Sequence, residues 1–187
     1  MTNNKDKIHR SALIIAGTAM FTALICICSW ITVPLWGIPI TLQVFAVSTA
    51  LLTAGGKTGT LSIIIYVILG AVGLPVYSGF GGGFGVLFGP TGGYIFGFIL
   101  TGAVYALAEA IFKNPSAAAK VLFLAAGLII CYAFGTAQFY IICVKNGYET
   151  EIMPILLKCV FPFIIPDFIK ILFALRFSAL LKKYMRF

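Results

Sequence analysis

Residues 11–35, 58–108 and 121–144 contain no Asp, Glu, Lys or Arg. A water-exposed fold cannot be covered by stretches like these. Crossing a bilayer as a helix takes about 20 predominantly apolar residues. Lipid offers no partners to backbone N–H and C=O groups, so a chain of this kind satisfies them within helices. Composition agrees: the chain is 61% hydrophobic and 10% charged, with a mean hydropathy of +1.08. A soluble domain is about 45–50% apolar and about 25% charged. The sequence therefore predicts an all-α integral membrane protein, with residues 1–187 forming a single transmembrane domain.

The apolar pattern divides into six predicted helices, at about 10–33, 39–55, 58–75, 90–112, 116–144 and 162–184. Pro39, Pro90, Pro115, Pro162 and Pro166 mark starts, because a first-turn residue has no intrahelical use for its N–H. The first apolar run exceeds the 7–15 residues of a secretory h-region, so it is expected to remain as a span. Six crossings place both termini on one side. That side receives Lys5, Lys7, Arg10, Lys57, Lys113, Lys120, Arg176, Lys182, Lys183 and Arg186, and the other receives Lys145 and Lys158. Ten basic residues against two makes the first side cytoplasmic. The loops 34–38, 76–89 and 145–161 then face outward, and the glycine-rich one joins helices three and four. The formal charge of +8 is thereby a topology signal, and no nucleic-acid partner is expected.

Several chemistries are excluded. The five cysteines form no Cys-x-x-Cys pair and the single histidine, His9, lies in the basic N-terminal segment, so no metal site of three or four ligands can be built from local spacing. "GGKT" at 55–58 has the tail of a phosphate-binding loop, but Leu51 stands where that pattern requires its first glycine. Lys57 reads instead as a cytoplasmic anchor. No serine or cysteine has a basic neighbour to activate it, and no cofactor or enzymatic role is expected. Glu109 reads as a solvated residue near the cytoplasmic end of helix four.

The glycine-rich stretch 81–94, "GGGFGVLFGPTGGY", is the most unusual feature. Residues 79–85 hold too much glycine for a stable helix. Non-helical backbone at membrane depth persists only when buried in protein or lining a cavity. Gly82 and Gly83 would bring backbone groups to a ligand, with Phe80 and Tyr94 among the apolar walls. Gly93 and Gly97 share a helix face suited to close helix packing. Trp36, between Pro34 and Pro39, is either a lid residue or an interfacial anchor. Asp167 and Lys170 are the only oppositely charged residues that fall together in a span, and ionisable groups there are functional candidates by default.

Four motifs carry a resemblance that spans nearly the whole chain: "GIPITLQ" at 37–43, "GAVGLPVYSGFGGG" at 70–83, "GPTGGY" at 89–94 and "PDFIK" at 166–170. Together they resemble the BioY family, the biotin-binding S components of energy-coupling factor (ECF) transporters. The resemblance implies a six-helix bundle with an outward-facing biotin site. It also implies a transmembrane coupling protein and two cytoplasmic ATPase subunits as partners.

With biotin as ligand, Asp167 suits a ureido N–H and Lys170 the ureido carbonyl, with Gln43, Thr91 or Tyr94 satisfying what remains. The opposite pose puts Lys170 on the valerate carboxylate, and a third possibility is an ion pair that only neutralises both charges. Ala12, Ala16, Ala19 and Ala23 form a small-residue strip on helix one. The resemblance implies docking of the coupling protein there, and the alternative is internal packing against helix six. A self-sufficient secondary transporter of a small vitamin-like solute is the competing functional reading.

Overall fold

The computed structural model describes residues 4–34, 38–148 and 151–184. Seven helices occur among them: α1 (Asn4–Trp30), α2 (Gln43–Ala71), α3 (Phe84–Leu87), α4 (Gly92–Ile111), α5 (Ala117–Lys145), α6 (Ile152–Cys159) and α7 (Phe161–Tyr184). A small antiparallel ribbon, β1 (Thr32–Val33) and β2 (Ile40–Thr41), pairs Thr32 with Thr41 and Val33 with Ile40.

Five segments are long and apolar enough to cross a membrane, and one of them is α2. α2 is not straight. Gly55 has φ +81° and ψ 167°, a conformation essentially confined to glycine. Beyond it the chain doubles back, so that a Cβ on Gly59 would stand 2.8 Å from the Cα of Leu51. The arms 43–54 and 56–71 therefore run antiparallel and make two crossings, which brings the bundle to the six expected. The predicted second and third helices (39–55 and 58–75) correspond to these arms. Residues 40–41 lie in β2, and residues 72–75 lie in the outward loop.

The Gly56 N–H donates to Glu109 Oε2 over 2.6 Å. Glu109 is half-buried, which corrects its reading as a solvated residue. It supplies an acceptor to one of the orphan donors where the second arm begins.

α4 and α5 share the most extensive interface. A Cβ on Gly93 would meet Gly135 Cα at 2.8 Å, and one on Gly97 would meet Cys131 Cα at 2.8 Å. Only glycine permits that approach, and the two residues serve helix packing as their shared face suggested. Thr101 Oγ1 donates to Gly97 O within α4 and to Gly127 O across to α5, each over 3.0 Å, a bond that is useful where lipid supplies no water.

Other expectations need correction. The first helix ends at Trp30, and residues 31–33 leave it for the ribbon. The outward loop expected at 145–161 contains α6. Pro166 does not mark a start: α7 begins at Phe161 and carries Pro166 inside it. Within 79–85 the chain is mostly irregular, as expected, but Ser78–Phe80 forms a 3₁₀ turn and α3 begins at Phe84.

The outward end of α1 fastens the following loop. Ser29 Oγ donates to Val76 O, and Trp30 Nε1 donates to Pro75 O over 2.8 Å. Gln138 Nε2 of α5 donates to both Leu87 O and Gly89 O, each over 2.8 Å, which holds the segment that leads into α4.

Candidate functional site

The outward ends of α2, α4, α5 and α7 converge on one cavity of about 70 Å³. Ile38 and Pro39 close it from the loop before β2, Thr41 from β2, Val86 from α3 and Cys159 from α6. Most of the wall is apolar: Val44, Ile95, Phe98, Leu128 and Phe163. Polar groups reach it from Thr41, Gln43, Ser78, Thr91, Tyr94, Tyr132 and Asp167. A few placed polar groups in an apolar wall is the usual make-up of a small-molecule site.

Several of these polar residues are held by partners. Gln43 is buried; its Oε1 accepts from Thr41 Oγ1 over 2.9 Å and its Nε2 donates to Tyr66 Oη over 2.6 Å. That arrangement uses one of its two N–H donors. Tyr66 meets Tyr77 edge-on, with ring centroids 5.5 Å apart. Tyr77 in turn donates to Val67 O over 2.7 Å. The Tyr94 hydroxyl lies 3.1 Å from Thr136 Oγ1. Thr91 precedes α4 without capping it, which leaves its hydroxyl to the cavity.

Asp167 is only 2% exposed. Its Oδ1 accepts from Lys170 Nζ over 2.6 Å and its Oδ2 from Tyr132 Oη over 2.7 Å. A carboxylate accepts about four hydrogen bonds, so capacity remains on the side facing the cavity.

The structure brings Gln43, Thr91, Tyr94 and Asp167 to one cavity. Lys170 is not part of the wall and reaches it through Asp167. Gly82, Gly83 and Phe80, expected to contact ligand, are not part of this wall. A Cβ on Gly82 would stand 2.4 Å from Leu74 O, and the Gly83 N–H donates to Gly70 O over 2.6 Å. Gly82 thus packs the loop against its own backbone, and Gly83 ties it to the end of α2. Phe80 is 63% exposed, has φ +59° and stacks on Trp30 at 5.2 Å. Trp36 lies outside the described residues, while Ile38 and Pro39 of the same loop line the cavity.

Tyr132 and Thr41 escaped the sequence reading. Tyr132 had a legible signal: with Thr136 it places two hydroxyls at i,i+4 on one face of a mostly apolar helix.

On α1, Ala12, Ala16, Ala19 and Ala23 are all exposed. Ala19 and Ala23 lie in an open groove with Ile14, Ile15, Leu61 and Ile65. α1 packs on α2 and has no extensive contact with α7, which overturns internal packing against the last helix.

A family model described as the BioY family matches residues 2–187. A protein named biotin transporter BioY from Thermotoga maritima is 44% identical over 164 residues, covering 88% of this chain and 92% of its own. A probable biotin transporter BioY from Pyrococcus horikoshii is 38% identical over 157 residues, covering 81% and 85%. A crystal structure described as the S-component for biotin from an ECF-type ABC transporter superposes with a TM-score of 0.80 over 98% of this chain and 95% of its own, at 23% identity. At that identity the likeness establishes the fold, a helical membrane bundle.

Proposed function

The chain belongs to the BioY family, and from that premise we propose that it is a multi-pass membrane subunit that binds biotin from the outward side. It delivers the vitamin for uptake driven by a separate energy-coupling module, a transmembrane coupling protein with two cytoplasmic ATPases. The relatives are named as transporters, and the reading contains no catalytic step.

One observation carries it: a carboxylate only 2% exposed, at membrane depth, in the wall of a mostly apolar cavity. A buried charge is costly unless paired or used, and this one is both paired and turned toward a space for a ligand. Biotin brings a cyclic urea with two N–H donors and one carbonyl, and a sulfur-containing ring suited to apolar walls. Asp167 accepts one N–H. Gln43 or Thr91, which line the cavity where Lys170 does not, donates to the carbonyl. The valerate is then left toward the ribbon.

The test is equilibrium binding of labelled biotin to the purified chain, followed by uptake into vesicles with and without the coupling module and ATP. Saturable binding with ATP-dependent uptake supports the reading. Uptake at the full rate without the module would establish a secondary transporter instead, and absence of binding would overturn the ligand.

A further inference from the structure

Asp167 is held from two directions. Lys170, one turn further along α7, takes Oδ1 at 2.6 Å. Tyr132, from the neighbouring helix α5, takes Oδ2 at 2.7 Å. Tyr132 and Asp167 both line the cavity and Lys170 does not. The lysine shares a helix with the aspartate, so it alone would let the carboxylate turn about its own axis as α7 shifts. The tyrosine ties the second oxygen to a different helix and fixes that rotation.

We propose that Tyr132 is a positioning residue that sets the hydrogen-bonding character of this wall. A phenol has one proton, and that of Tyr132 is committed to Asp167. Toward the cavity the pair therefore offers acceptors alone: the remaining carboxylate lone pairs and those of the phenol oxygen. Such a wall selects ligands that bring an N–H donor, and on the reading of biotin as ligand, which this inference rests on, that donor is a ureido N–H. A ligand without it leaves buried acceptors unpaired. Sites built to hydrogen-bond a substrate group discriminate strongly against analogues that lack it.

The test compares biotin with its two mono-N-methyl analogues, each methylated on one ureido nitrogen, using the full chain in detergent or nanodiscs. Wild type is expected to bind one analogue more weakly, and that one identifies the N–H taken by Asp167. Tyr132→Phe should bind biotin about tenfold more weakly, about 1.4 kcal/mol. Its affinity for the weaker analogue should stay at the wild-type value, which also shows the variant to be folded. The double variant Tyr132→Phe/Asp167→Asn should be no weaker than Asp167→Asn alone.

Wild-type biotin affinity in Tyr132→Phe overturns the proposal. So does an equal fractional loss for biotin and both analogues, which signifies packing, and so do losses that multiply in the double variant. Equal affinity of wild type for biotin and both analogues likewise overturns it. Wild type with no measurable biotin binding overturns the ligand reading itself and this proposal with it.

Discussion

Gln43 and Tyr66 stand 23 residues apart in one helical run, yet the Gln43 amide nitrogen lies 2.6 Å from the Tyr66 hydroxyl. A straight helix would separate them by about 35 Å. The turn at Gly55 brings them together, so a residue at the cytoplasmic end of the bundle determines the position of a cavity residue at the outward end.

Gly55→Ala should therefore destabilise the protein and loosen the site. Its backbone angles, φ +81° and ψ 167°, cost a residue with a Cβ about 1–3 kcal/mol. The added methyl would also come within 3.4 Å of Glu109 Oε2. We expect a lower unfolding temperature in detergent and weaker biotin binding. Thermal melts monitored by tryptophan emission would check this, and an unchanged midpoint would show that the turn relaxes freely.

Asp167→Asn preserves shape and one acceptor but removes the charge. It should weaken biotin at least tenfold, about 1.4 kcal/mol. The cost arises because a charge-assisted bond becomes a neutral one and because Lys170 loses its partner. The same variant should remain folded, and calorimetric titration of a protein with wild-type helicity would measure the loss. Unchanged affinity would shift the recognition to Gln43 and Thr91.

Ala16→Trp or Ala19→Trp should prevent assembly with the coupling protein while biotin binding remains intact. The strip is exposed and lies beside an open groove, so the bulk is added to a surface and not to the core. Co-purification of the tagged variant with the coupling module would check it, and normal assembly would exclude the strip as a docking face.

The two tryptophans separate the outer loop from the rest. Trp30 stacks on Phe80 and donates to Pro75 O, and it is not part of the cavity wall. Trp36 belongs to the loop whose Ile38 and Pro39 are. Biotin should shift or quench emission in Trp30→Phe and leave it nearly unchanged in Trp36→Phe. The reverse pattern would move the ligand toward the α1 side of the loop.

Much of the bundle was legible because apolar runs, prolines and basic clusters each obey lipid physics locally. Gln43, Thr91, Tyr94 and Asp167 stood out as polar residues in apolar surroundings. The misreadings involve relations that one segment cannot display. Gly82 and Gly83 looked like ligand backbone, but a Cβ on Gly82 would meet Leu74 O and the Gly83 N–H is taken by Gly70 O at the end of α2. Phe80 looked like a wall, and it stacks on Trp30. The hydroxyl pair of Tyr132 and Thr136 was visible locally, but the Asp167 partner of Tyr132, 35 positions away, was not. α6 was missed because its amphipathic turn-length run is shorter than a span and sits between two charged ends.

The doubled-back α2 also constrains how the chain enters the membrane. Its first arm, residues 43–54, is about 18 Å long, against a hydrocarbon core of about 30 Å. Alone it would leave unpaired backbone groups of its terminal turn at membrane depth, which lipid does not tolerate. The arm becomes stable only when the second arm lies beside it with Gly59 against Leu51 and Glu109 on Gly56. The two short arms are thus stable in lipid only as a pair, with Glu109 of α4 satisfying the turn between them.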